Sequence, residues 1–490
     1  MERYESFGEC LKRCLTTEGL SASEAARLVG FSSRNSIFRI LSGEVSDEIK
    51  LRFLQKLYEV LGSDWPEKHW HDLEKALSVE RLGAARYREN CAFRRLMHEQ
   101  ERAAEDYVVV SCEGKQERPL AAVLEEIAGY ARAEIVITGC CDSALAVLLA
   151  DKCGAAGAKG TLTIRHYIDT AEDVVCQNIL GVLPLVSKPW YNARLVATGS
   201  CPAAMMAIYR LHAMHAHVWD ENGKQFGTMY LQYDEKLFSA LEMREGALPS
   251  IELLDRWNFH LELLKPLASA SDGPEVFVEY TKQYAALEDN CTILSVKPDA
   301  HFNCIPAYLL EQAVLEGFEQ SGMAAGPELV SLIQALKQVH DQRYHNMFAK
   351  RRPTHLVYSL QAMERFMRTG VLSDQFFIQR AYTVEERRAV IRILLDAMKE
   401  LPYFNVHLLR EWAPPLRYEI SCFDGKGVLL MDSYTGYDLD RDHSEALITL
   451  PAFMEGFKRF FHEELLPHYV RSRSETIQAM ERLLVMNVQE

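Results

Sequence analysis

Ser21-Ala22-Ser23-Glu24-Ala25-Ala26-Arg27-Leu28-Val29-Gly30-Phe31-Ser32-Ser33-Arg34-Asn35-Ser36-Ile37-Phe38-Arg39-Ile40-Leu41-Ser42-Gly43 is the stretch whose reading decides the front of this chain. Ser21 followed three residues later by Glu24 is a capping box, so a helix starts there, buries Ala25, Ala26 and Leu28 on one face, and stops at Gly30. Phe31 turns inward. Ser32 or Ser33 caps a second helix, whose apolar Ile37, Ile40 and Leu41 sit three and four apart and leave Arg34, Asn35, Ser36 and Arg39 on the outward side. Arg can grip a guanine edge with two hydrogen bonds and Asn an adenine edge, while small Ser residues let a helix approach closely.

Two short helices joined by a tight turn, in this order, form a helix-turn-helix. The stretch resembles the Cro and phage-repressor (XRE) type, through Ala25-Ala26, Gly30-Phe31-Ser32, Ser36-Ile37 and Ser42-Gly43. One residue more than that family usually has lies between Gly30 and Gly43, which leaves the alignment of the second helix with the family open by one position. The run from Gly30-Phe31-Ser32-Ser33 to Phe38-Arg39 is also similar to half of an AraC-type reader. Either resemblance implies sequence-specific binding of double-stranded DNA, with Ser21, Ser33, Arg34, Asn35, Ser36 and Arg39 as the DNA-binding residues.

Helical periodicity extends on both sides of the motif. Phe7, Leu11, Cys14 and Leu15 make a first helix; Leu51, Phe53, Leu54, Leu57, Tyr58 and Leu61 make another that ends at Gly62; Trp65-Pro66 opens the next, with Trp70, Leu73 and Leu77. We expect a DNA-binding domain over 1–62 and a helical connector over 63–104.

At 490 residues and 48% apolar content the chain can bury large cores, and about three domains are expected from its length. A net charge of -15 opposes binding to phosphate, but residues 1–100 hold sixteen Lys and Arg against sixteen Asp and Glu. The deficit therefore lies behind the head. A neutral head implies modest affinity for a single copy, so a homodimer is expected, doubling the phosphate contacts. Twelve Cys without regular spacing read as reduced thiols, and the acidic start carries no apolar signal region. No uninterrupted run reaches the roughly 18 apolar residues of a membrane span, so a cytoplasmic protein without a membrane partner is expected.

After residue 105 the pattern alternates strand and helix. Tyr107–Ser111, Glu134–Thr138 and Thr161–Ile164 read as strands, Leu120–Ala131 and Ser143–Cys153 as helices, and Ala213–Tyr233 as a hairpin. Thr292–Val296, Thr354–Tyr358 and Phe404–Leu408 read as further strands, and Arg417–Cys422 pairs with Val428–Met431 across Asp424-Gly425-Lys426-Gly427. The expected architecture is multidomain: an all-α helix-turn-helix head, then a large α/β body with a mixed sheet, divided into an α/β domain over 105–235, a mainly helical insert over 236–350 and a C-terminal α/β part over 351–490.

The body offers few chemical signatures. Its element order faintly resembles the phospholipase D-like fold, whose catalysis needs a His followed two residues later by a Lys in each half. His166 is followed at that spacing by Ile168 and His355 by Val357, so the resemblance implies a hydrolytic site that is absent. His215 and His217 on one face of a strand could chelate a metal, yet no third ligand is fixed by spacing, and neither metal nor cofactor is expected. Cys140-Cys141-Asp142 follows a strand end, where ligands bind in α/β sheets. The Gly-rich stretch Gly154–Gly160 runs from helix to strand, the reverse of a phosphate cradle, and reads as a helix stop. Trp190, Tyr191, Trp257, Phe259, Tyr358, Phe366 and Tyr418 are candidates to line an apolar pocket for a small-molecule effector. No catalytic residues are assigned. The alternative reading is an enzyme of unrecognised type, a degenerate phospholipase D-like hydrolase, with the head serving docking or autoregulation.

Overall fold

The computed structural model describes residues 5–31, 34–84, 86–87, 90, 92–93, 108–110, 117–130, 133–138, 143–169, 175–186, 188, 190–196, 205–209, 213–219, 226–232, 250–252, 255–257, 282–300, 305–320, 326–372, 380–411, 413, 418–432 and 445–486. The chain divides into two compact units, Met1–Ala92 and Phe93–Glu490.

Unit 1 is helical: α1 (Phe7–Thr17), α2 (Ala22–Leu28), α3 (Arg34–Leu41), α4 (Asp47–Leu61) and α5 (Glu67–Leu82). Its starts and stops are local chemistry. Ser6 with Glu9 and Ser21 with Glu24 form complete capping boxes before α1 and α2. At the end of α2 the N–H of Phe31 donates to the Ala26 carbonyl and that of Gly30 to Arg27; at the end of α3 the N–H of Glu44 donates to Arg39 and that of Gly43 to Ile40. Both are Schellman stops, with Gly30 and Gly43 left-handed at φ 76°.

The apolar stripes converge on one core that includes Phe7, Leu11, Ala25, Ile37, Ile40, Phe53 and Leu57. Trp65, Trp70, Leu73 and Leu77 belong to the same core, which corrects the expectation of a connector over 63–104. Trp70 explains why. Its ring packs 4.9 Å from Tyr58 and 5.0 Å from Trp65, and its indole N–H donates to the Gly62 carbonyl at 3.0 Å, so α5 folds back onto α4.

Unit 2 is mixed α/β, and among the described residues it holds a nine-stranded and a seven-stranded sheet. The first comprises β1 (Val108–Val110), β2 (Glu117–Pro119), β3 (Ala133–Thr138), β4 (Leu162–Asp169), β5 (Tyr191–Val196), β6 (Met205–Tyr209), β7 (Ala213–Trp219), β8 (Phe226–Gln232) and β9 (Ser250–Glu252), in the order β2-β1-β8-β7-β6-β3-β4-β5-β9. Strands β3, β4 and β5 run parallel, joined through helices, whereas β6, β7 and β8 form an antiparallel meander. Helix Ser143–Ala158 runs past the stop expected at Gly154 and ends only before Gly160, which is left-handed at φ 72°.

The second sheet comprises β10 (Asp255–Trp257), β11 (Ile293–Lys297), β12 (Thr354–Tyr358), β13 (Phe404–Leu408), β14 (Tyr418–Phe423), β15 (Gly427–Asp432) and β16 (Glu445–Ile448), in the order β10-β16-β15-β14-β11-β12-β13. Strand β11 pairs parallel to β12 and antiparallel to β14, which corrects the boundary expected at 350/351. The segment 236–350 is therefore no separate insert: one of its strands is interior to the sheet of the C-terminal part. Helices Leu360–Thr369, Val384–Glu400 and Arg473–Leu484 bury their apolar faces with β12 and β13 in a core of Tyr358, Met363, Phe366, Leu394, Met398, Phe404 and Met480.

Candidate nucleic-acid interface

Helix α3 is held by what packs behind it. Ile37 and Ile40 are both fully buried, and the small Ala25 and Ala26 of α2, at 0% and 2% exposure, let the two helices approach. Phe31 in the turn lies 5.6 Å from the Phe53 ring of α4. At the far end Gly8 of α1 meets the Leu41 carbonyl so closely that a Cβ there would stand 2.1 Å from its oxygen.

A second anchor ties α1, α4 and α5. The Glu80 carboxylate accepts the N–H of Phe7, one of the orphan donors at the start of α1, at 3.1 Å, and accepts Lys50 Nζ at 2.5 Å. Lys50 is 2% exposed and its ammonium also donates to Asp47 at 3.4 Å. Arg13 is likewise engaged, paired with Glu5 at 3.0 Å and Asp72 at 3.1 Å, and these carboxylates raise its pKa.

With the inward stripe fixed, Asn35 and Arg39 are exposed and Ser36 is half-buried. Arg39 Nη2 donates to the Glu44 carbonyl at 3.3 Å, which steadies the guanidinium beside the end of α3. Arg34 is the first residue of α3, its side chain outside the described residues, as are Ser32 and Ser33. Arg27 on α2 is exposed. Taking about 100° per residue, Asn35 sits near the middle of the outer face, Arg39 about 40° to one side and Phe38 about 60° to the other. Phe38 is 54% exposed. It is not among the residues that the sequence marks for DNA binding, although its place off the Ile37-Ile40-Leu41 stripe follows from the same periodicity.

Ser21 is engaged within its own turn. Its N–H and its hydroxyl both donate to the Glu24 carboxylate, at 2.9 and 2.7 Å, and the hydroxyl accepts the Glu24 N–H at 3.2 Å. No donor is left for a phosphate. Those hydrogen bonds hold the Glu24 carboxyl below its usual pKa, so a negative charge stands beside Ser21. Ser21 starts the helix.

The candidate residues of the body separate. His166 is 2% exposed with Nδ1 2.9 Å from the Tyr191 hydroxyl, in the first sheet, whereas His355 lies in the second with Nδ1 3.1 Å from His407 Nε2. Ile168 and Val357, where a phospholipase D-like site needs lysines, are fully buried. His215 and His217 face Tyr230 and Thr228 across the β7–β8 register, their side chains outside the described residues, as are Cys140, Cys141 and Asp142. Among the described residues no group of three or more His, Cys, Asp or Glu side chains could hold a metal ion.

Of the aromatic candidates for a pocket, Trp190, Tyr191, Tyr358, Phe366 and Tyr418 are buried, Tyr358 and Phe366 within the core behind β12 and β13. The side chain of Trp257 and all of Phe259 lie outside the described residues. At the carboxyl end of β11, Lys297 and Glu419 of the neighbouring β14 form a fully buried ion pair at 2.8 Å, above a Ser295–Ser421 hydroxyl contact of 2.7 Å. Searches of protein-family models and of curated proteins return no match to this chain.

Proposed function

We propose that unit 1 is the sequence-specific, double-stranded-DNA-binding head of a transcriptional regulator, and that unit 2 senses a small molecule or mediates dimerisation. The carrying observation is α3: a helix with two fully buried isoleucines behind it and exposed Asn35 and Arg39 in front. Such a helix presents base-reading groups on a rigid support. Arg27, Arg34 and Arg39 supply cationic charge for phosphate, opposed within the motif by Glu24. Pairing two heads in a homodimer offsets the modest charge of each and sets a half-site spacing, and a ligand with unequal affinity for two arrangements of the dimer shifts that spacing.

The reading is of a cytoplasmic protein and not of an enzyme. Cys10, Cys14, Cys153, Cys176, Cys291 and Cys422 are free, buried thiols, consistent with a reducing compartment. Among the described residues no helix is long and apolar enough to cross a membrane.

Selection of duplexes from a random pool by the full-length protein, followed by gel-shift titration across salt, tests the reading. A symmetric site is expected, with affinity falling as salt rises and lost in Arg34→Ala/Arg39→Ala. Binding indifferent to sequence and to both substitutions overturns it.

The second reading, an enzyme of unrecognised type with the head for docking or autoregulation, draws on Lys297 and Glu419. A buried charged pair at the carboxyl end of a parallel strand sits where α/β sheets receive ligands. This reading predicts that the Arg34→Ala/Arg39→Ala protein keeps full catalytic activity.

A further inference from the structure

The outer face of α3 carries a phenyl ring that charge and hydrogen bonding do not account for. Phe38 is the most exposed large apolar side chain among the described residues of unit 1. Its direction is imposed: rolling α3 to bury it would bring Ile37 and Ile40, both 0% exposed, toward water. The same face holds Asn35 three residues before and Arg39 one residue after, both exposed. An amide, a guanidinium and a phenyl thus share one helical surface.

We propose that Phe38 is a specificity-determining residue that packs on the 5-methyl groups of thymines in the major groove. The inference rests on the reading of unit 1 as a DNA-binding head and names what one of its residues selects. The thymine methyl is the apolar feature of the major-groove edge, and a phenyl ring fits it where Asn and Arg fit polar edges. A helix that enters by its Asn and Arg face works in the major groove, whereas apolar wedges that unstack bases act from the minor groove. Phe38 therefore adds preference for thymine next to the bases that Asn35 and Arg39 read.

The test uses the full-length protein and the duplex enriched from a random pool, remade with each thymidine in turn replaced by deoxyuridine, which lacks only the methyl. Wild type is expected to lose about three- to fivefold in affinity at one or two positions. Phe38→Ala is expected to bind the thymidine duplex as weakly as wild type binds the deoxyuridine one, and to be indifferent to the replacement. An unchanged far-ultraviolet spectrum and melting point show that the variant folds, as an exposed position predicts.

Indifference of wild type to every replacement overturns the inference while leaving the DNA reading intact. So does a Phe38→Ala protein that keeps the full deoxyuridine penalty, including one that instead falls from dimer to monomer. Failure to enrich any duplex overturns the DNA reading itself, and this inference with it.

Discussion

The Leu41 carbonyl oxygen occupies the space that a side chain at Gly8 would need: a Cβ built there would lie 2.1 Å from that oxygen and 2.8 Å from its carbon. Backbone against backbone, α1 fixes the carboxyl end of α3 and hence the direction of the face that carries Asn35, Phe38 and Arg39.

Gly8→Ala must therefore move one helix off the other. We expect a loss of about 1–3 kcal/mol of stability and a fall in affinity for the selected duplex beyond what the unfolded fraction explains. Thermal melting beside gel shift at a temperature where the variant is folded separates the two effects. Wild-type affinity and stability would mean that α3 is placed by Ile37 and Ile40 alone.

Glu80 holds the buried Lys50 ammonium and the first N–H of α1 together. Glu80→Ala leaves a cation in the core with Asp47 alone, and a loss of about 1–3 kcal/mol is expected, below that of fully buried pairs because the Glu80 side chain is 31% exposed. Lys50→Met, which removes the charge and keeps the stem volume, is expected to cost less. Urea midpoints of the two variants in the full chain give the comparison, and the reverse ranking would refute the account.

Ser21 and Glu24 start α2. Ser21→Ala is expected to cost about 0.5–2 kcal/mol by leaving the Glu24 N–H uncapped. Salt dependence of DNA binding should stay as in wild type, since the Ser21 donors are already spent on Glu24. A slope of log K against log salt that drops by about one would restore Ser21 to the phosphate contacts.

His355 and His407 predict an acid limb. Burial, then the nearby His462, lowers His355 to about 4; burial, then His355, Arg473 and His462, lowers His407 to about 3. Both are neutral in the folded protein down to those values, whereas the unfolded chain protonates them near 6.5. The unfolded state thus binds more protons, and stability present above about pH 6.5 declines as pH falls toward 4, by at most about 1.4 kcal/mol per pH unit for each group. Denaturant titrations between pH 7 and 4 should show a shallower decline in His355→Gln/His407→Gln. An unaltered slope would assign the acid limb to other groups.

The helix boundaries of the head are legible because their causes are local. Ser21 and Glu24, or Gly43 and the Ile40 carbonyl, lie within five residues of each other, and the same holds for the turn Asp424–Gly427 between β14 and β15. Helix Ser143–Ala158 passes through Gly154 and Gly157 for a different reason. A Cβ at Gly157 would stand 2.3 Å from the Trp190 ring, so this glycine gives the helix a flat seat for a side chain more than thirty residues away rather than an end. Read locally, it looks like a stop.

The candidate site divides in the same way. Periodicity alone put Ile37, Ile40 and Leu41 inward and Asn35 and Arg39 outward, but it could not tell that the donors of Ser21 are consumed. That needed the side-chain geometry.

By itself the sequence determined the helical head, its caps and glycine stops, the strand-rich body and the outward residues of α3, because hydrophobic periodicity and capping act over one or two turns of chain. Tertiary structure alone decided that α5 belongs to the head core, that β11 lies between β12 and β14, and that Gly8 sets the position of α3. These depend on contacts between segments distant in sequence, where a Trp, a five-residue strand or a glycine reads the same whichever partner it meets.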